Sequence, residues 1–247
     1  MTLYVGTSGY SYQAWKGIFY PADLPDRQML HYYGGVFLSV EINNTFHRMP
    51  TSALLQSWSQ EVPAGFKFAL KAPQRITHFQ RLKGVDDPVS YLFDVAGGLG
   101  ERLGPVLFQL PPSLKKDLPL LRDFLALLPP AARASIQFRH RSWMDDEVFE
   151  LLRRNDAALC IADLEDDVET PAVATATWGY LRLRRQDYGE AELKRWVDLV
   201  ARQNWRDAFV FFKHEESAQG PLLARNFLEV AGGGRGKDQG AGKSRPR

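Results

Sequence analysis

The chain has 247 residues, 45% hydrophobic and 24% charged, which is ordinary for a folded globular protein with a sizeable core. No apolar run approaches the roughly 20 residues of a membrane helix, and MTLYVGTSGY lacks the basic-then-apolar order of a signal peptide, so neither a membrane span nor a leader is expected. The lone Cys160 excludes an internal disulfide and a cysteine-rich zinc site, and its default setting is the reducing cytoplasm.

The net charge of +2 is unevenly spread. The Gly-rich tail 232–247, GGGRGKDQGAGKSRPR, holds five Lys or Arg against one Asp, so the body before it is slightly acidic. The tail has no hydrophobic period and is expected to be disordered, leaving residues 1–231 as one domain. Its basic charge is no sign that the folded body grips nucleic acid.

Eight short apolar runs read as buried parallel strands: 3–8, 36–43, 66–72, 105–110, 134–139, 158–163, 179–184 and 208–213. Helical spacing fills most gaps, at 52–60, 88–103, 118–128, 145–154, 190–203 and 222–230. Residues 164–178 show no helical pattern, so the sixth helix is expected to be missing or short. Eight strands alternating with helices in this length predict an α/β fold, a (β/α)8 TIM barrel, over a doubly wound sheet.

In a barrel, function sits where the strands end. Alternation places Lys71, Arg139, Arg182 and Arg184 inside the mouth with Glu41, Asn43 and Asp163, while Phe66, Phe68, Leu70, Ile136, Phe138, Leu181 and Leu183 face the helices. Lys213 ends the eighth strand, whose two faces are both apolar. Gln109 ends the fourth, and His78 and His140 follow the third and fifth. Tyr10, Trp15 and Trp143 are expected to wall the pocket.

These motifs resemble the YecE-like family, a domain of unknown function (DUF72) with a TIM-barrel fold. The resemblance rests on GTSGYSYQAWKGIFYP (6–21), VEINNTFHRMP (40–50), FKFALKAPQRITH (66–78), GPVLFQLPPS (104–113), FRHRSW (138–143), ALCIAD (158–163), YLRLRRQDY (180–188) and FVFFKHE (209–215). It implies the barrel over the whole body and no established activity. It also implies Glu where Gln137 stands, His-Gly at Arg184-Arg185, two Asn at Lys213-His214 and Tyr at His47. The changes at 137, 184 and 213 remove an acidic or neutral group or add a cation.

Four chemistries compete. In the first, Arg139, Arg182, Arg184, Lys71 and Lys213, with Asn43, Gln109 and His78, bind a small anionic or phosphorylated ligand, because the guanidinium fork matches phosphate oxygens. The plainer alternative pairs Arg139 or Arg182 internally with Glu41 or Asp163. In the second, Glu41 and Asp163 act as a metal-independent base or stabilising pair for a hydrolase or lyase, with His140 or His78 as acid. The third is a metal site; the scattered His47, His78, His140 and His214 and their basic neighbours oppose it, and no metal is expected. The fourth is single-stranded nucleic acid stacked on the aromatics of the first loop. No cofactor is expected: GLGERLG (98–104) has the wrong glycine spacing for a dinucleotide, and GKS (242–244) lacks its glycine at 237.

Overall fold

A computed structural model describes residues 1–163, 168–213 and 217–233; residues 164–167, His214, Glu215, Glu216 and the tail from 234 lie outside the described residues. The strands are β1 (Thr2–Thr7), β2 (Ser39–Ile42), β3 (Lys67–Lys71), β4 (Leu103–Gln109), β5 (Ala134–Gln137), β6 (Ala158–Asp163), β7 (Trp178–Leu183) and β8 (Asp207–Phe212). All are parallel, in the order β1-β8-β7-β6-β5-β4-β3-β2. The fold is the expected TIM barrel, nearly closed.

Helices on the outside are α1 (Met29–Gly34), α2 (Ser52–Glu61), α3 (Asp86–Ala96), α4 (Leu118–Ala126), α5 (Asp146–Arg154), α6 (Glu190–Arg202) and α7 (Gln219–Gly233). Their starts are written in the sequence. The side chains of Thr51, Asp117 and Asp145 accept from the backbone N–H of Leu54, Leu120 and Glu147, satisfying donors that the first turn leaves open. The six-residue α1 is too short to display a period, and the sequence reading does not contain it. Between β6 and β7, residues 168–177 contain no helix. There Thr175 Oγ1 accepts from Leu159 N–H at 2.7 Å and donates to the Ala157 carbonyl at 2.8 Å, tying an extended segment back to β6. Among the described residues, no helix is long and apolar enough to cross a membrane.

The inward and outward faces follow strict alternation. Phe66, Phe68, Leu70, Leu181 and Leu183 pack in one helix-facing core, and Ile136 and Phe138 in a second. A third cluster fills the barrel with Ala69, Leu107, Ala158, Cys160, Trp178, Tyr180, Phe209 and Phe211. This settles β8: Phe209 and Phe211 face inward, while Val210 and Phe212 join the helix layer.

The wall closes between β1 and β2 without a regular ladder. Tyr33 of α1 supplies a hydroxyl that accepts from Thr7 N–H at 2.8 Å and donates to the Ser39 carbonyl at 3.1 Å. Gly9 N–H donates to the Glu41 carbonyl at 2.7 Å at the top of this seam. Gly6 is required here, since a β-carbon would lie 1.9 Å from the Ser39 oxygen.

Candidate functional site

Arg182 of β7 and Glu41 of β2 meet inside the barrel, each with no exposed surface. Arg182 Nη2 donates to Glu41 Oε1 at 2.9 Å and Nη1 to Gln137 Oε1 at 2.8 Å. A buried ion pair is tolerable only when its remaining polar atoms are satisfied. Glu41 meets that demand: Oε1 also accepts from Ser8 Oγ at 2.7 Å and Asn43 Nδ2 at 3.2 Å, and Oε2 from Tyr180 Oη at 2.7 Å. Burial pushes the Glu41 carboxyl up. The Arg182 charge, the Tyr180 and Ser8 hydroxyls and the nearby Arg184 outweigh it and hold the group at about 2.

Gln137 Oε1 is shared, accepting from Gln109 Nε2 at 2.9 Å as well as from Arg182. Gln137 Nε2 and Arg182 Nε are buried and make no hydrogen bond among the described residues. The plainer expectation therefore holds for Arg182, which is paired internally with Glu41.

Lys71 ends β3 beside this network. Its Nζ lies 4.0 Å from the centroid of the Phe46 ring. Thr45 Oγ1 places that ring by hydrogen bonding to both the Ile42 carbonyl at 3.0 Å and the Lys71 carbonyl at 2.6 Å, locking the turn 44–46 onto the end of β3. The Lys71 amine is pushed down to about 8, first by burial and then by Arg182, with Arg184 and Lys213 adding to it and Glu41 opposing. His78 comes from a π-helical turn, Arg75–Phe79. Its Nδ1 is 2.9 Å from Thr77 Oγ1 and its ring meets Phe46 edge-on at 4.9 Å. Burial, then Lys71 and Arg139, lower its pKa.

Arg139, Arg184 and Lys213 are partly buried and continue β5, β7 and β8 on their inward parity. Their fields reach the same groups: Arg184 acts on Glu41 and Lys71, Lys213 on Lys71 and Arg139 on His78. The structure thus brings Glu41, Asn43, Lys71, His78, Gln109 and Arg182 into one end of the barrel, with Arg139, Arg184 and Lys213 acting on it.

Four expected site residues lie elsewhere. Asp163 has the parity of Leu159 and Ile161, so it faces outward and accepts from Arg185 Nε at 2.9 Å; Arg185 also donates to Glu192 of α6 at 2.7 Å. It does not converge with Glu41. His140 has the parity of Phe138 and caps the turn 141–143, its Nδ1 accepting from Ser142 N–H at 3.2 Å. Trp143 is fully buried, stacked on Phe138 at 4.7 Å with its Nε1 donating to the Leu114 carbonyl at 2.7 Å. Trp15 is 1% exposed within a cluster of Tyr12, Phe19 and Tyr20, so it is core and walls no pocket. Tyr10 lines a groove of about 120 Å³ together with Asn43 and Trp58.

Ser8 and Tyr180 are members of the site that the sequence reading passed over. Tyr180 sits two residues before Arg182 on the same strand face, which is the signal that would have found it. Among the described residues, no group of three or more His, Cys, Asp or Glu gathers to hold a metal ion.

Residues 4–245 match the family described as a protein of unknown function, DUF72. The YecE protein of Escherichia coli K12 is 27% identical over 139 residues, 56% of this chain and 48% of that protein. YunF of Bacillus subtilis 168 is 27% identical over 160 residues, 60% of this chain and 54% of that one. The chain spans about half the length of these curated relatives. A DUF72 crystal structure from Thermotoga maritima superposes with a TM-score of 0.77 at 26% identity, covering 93% of this chain and 99% of that one. Another from Enterococcus faecalis reaches 0.78 at 15% identity, covering 94% and 96%, and speaks for the fold alone. With its barrel, its motifs and its solved neighbours all in agreement, the chain belongs to the DUF72 family, whose function is unknown.

Proposed function

We propose that the mouth of this barrel binds a small anionic ligand, most suitably one bearing a phosphate. The observation that carries the reading is the inward parity shared by Lys71, Arg139, Arg182, Arg184 and Lys213 at one end of the barrel, where Glu41 is paired with Arg182. Glu41 is close by, yet the Lys71 amine is driven down, because burial and the cations Arg182, Arg184 and Lys213 together outweigh it. The same holds at His78, where Lys71 and Arg139 add to burial. An anion entering there lowers the energy of the cations around it, and guanidinium groups offer it two donors in one plane.

Titration calorimetry with inorganic phosphate and simple phosphate esters tests the proposal. Saturable binding that persists at about 0.2 M salt and falls at least about tenfold in Arg184→Met or Lys71→Met is expected, whereas nonspecific polyanion contact collapses with salt. No binding, or binding equal in both variants, overturns it. Affinity for oligonucleotides above that for small phosphates shifts the reading to nucleic acid.

A further inference from the structure

Among the described residues, Lys71 is a partly buried lysine without a polar partner; Lys83 and Lys115 also have no ion pair, but they are exposed to water. Lys16, Lys116 and Lys194 each pair with a carboxylate, and Lys67 donates to the Glu101 carbonyl. Lys71 makes no ion pair and no hydrogen bond among the described residues; its amine has the face of Phe46 as its contact. The stem is half-buried and its inward parity aims it into the mouth. Among the described residues, the charged groups that act on it are Glu41 from β2, Arg182 from β7, Arg184 just after it, Lys213 after β8 and His78 from its own loop. A lysine removed from water and set beside other cations loses its proton more easily, and this is how enzymes make an amine nucleophilic.

We infer that Lys71 is a reactive amine that forms a Schiff base with an aldehyde or ketone carrying an anionic group. The inference rests on the anion-binding reading of the mouth for the second half of that ligand. In the step, the neutral nitrogen attacks the carbonyl carbon and the carbonyl π electrons move to oxygen, giving a carbinolamine. The C–O bond then breaks as the C=N bond forms. Both N–H protons depart with the oxygen as water, so no oxidant or reductant is required. Burial and the neighbouring cations keep Lys71 in its neutral form for longer as pH falls, against the pull of the Phe46 ring toward the ammonium, and the cations hold the anionic end of the partner.

The full chain is treated with pyridoxal 5′-phosphate or with pyridoxal, reduced with borohydride, and mapped by peptide mass spectrometry. At about pH 7.5 an amine titrating near 8 is unprotonated roughly two-hundredfold more often than an ordinary lysine, so Lys71 is expected to carry most of the label. Labelling should rise through about pH 8 and vanish from this position in Lys71→Arg, with circular dichroism verifying the fold of the variant. Label spread over surface lysines without preference for Lys71 overturns the inference, as does a labelling midpoint near 10.5. A Lys71 labelled equally by both probes and unprotected by inorganic phosphate keeps the reactive amine and removes the anion site. Calorimetric phosphate binding with no label at Lys71 keeps the anion site and removes the reactive amine.

Discussion

The floor and the mouth of the barrel are built on the same strands by opposite means. At the floor, Tyr4 stacks on Phe209 at 4.7 Å and Trp178 meets that ring edge-on at 6.1 Å, packed with Ala69, Leu107, Ala158 and Cys160. Area removed from water holds this layer together. At the mouth the inward positions are Glu41, Gln137 and Arg182, where burial costs and each polar atom needs a partner. β7 and the residue that follows it contain the whole gradient in Trp178, Tyr180, Arg182 and then Arg184. Tyr180 is the change of phase: its ring lies 5.3 Å from Phe211 while its hydroxyl donates to Glu41. A barrel of this kind is glued below and wired above: the floor's ion pair, Arg133 with Asp207, lies at its rim, while the mouth buries its ion pair inside.

The largest expected effects separate the two layers. Glu41→Gln leaves Arg182 buried without its counter-charge and should cost about 3–5 kcal/mol in urea unfolding. Phe209→Ala should cost a similar ~3–5 kcal/mol by opening a cavity, yet leave the pH dependence of stability unchanged. That dependence has a definite sign in the native chain. Glu41 titrates lower folded than unfolded, so its contribution is full above about 4.5 and is lost as pH falls toward about 2; acid unfolding followed by fluorescence should lose this component in Glu41→Gln. Tyr180→Phe sits between the layers and should cost about 1–3 kcal/mol, with the Glu41 carboxyl moving up as it loses a donor. Gln137→Glu should raise the Lys71 pKa and weaken phosphate binding severalfold, read by the labelling profile and by calorimetry. The smallest effect belongs to Arg185→Ala, whose partly exposed pairs with Asp163 and Glu192 are worth about 1 kcal/mol or less.

Most of the wall was legible because alternation is a property of the strand itself. β6 is observed as 158–163, as read, and the inward sets of β3, β5 and β7 follow their apolar partners on the other face. Asp163 sits at a strand end, which points to the mouth, but it shares the outward parity of Leu159 and Ile161, and parity decides. Trp15 and Trp143 depart from expectation for a different reason. They sit in loop turns, which have no period to separate a core face from a pocket face. Phe46 lies in such a turn too, and its meeting with Lys71 depends on Thr45 reaching the end of a neighbouring strand, a contact that local sequence does not encode.

The Tyr33 bridge gives the wall a line along which it can part. Seven of the eight neighbouring strand pairs are parallel ladders, β3 and β4 with a register shift between Phe68 and Leu70, so separating β1 from β2 leaves a twisted open sheet with those pairings intact. The backbone and side chain of Glu41 both sit on that line, through Gly9 and Ser8. Whatever draws on the mouth's carboxylate therefore also pulls on the barrel's fastening, and the Thr7 amide, guarded by one hydroxyl, is where amide exchange registers the tension.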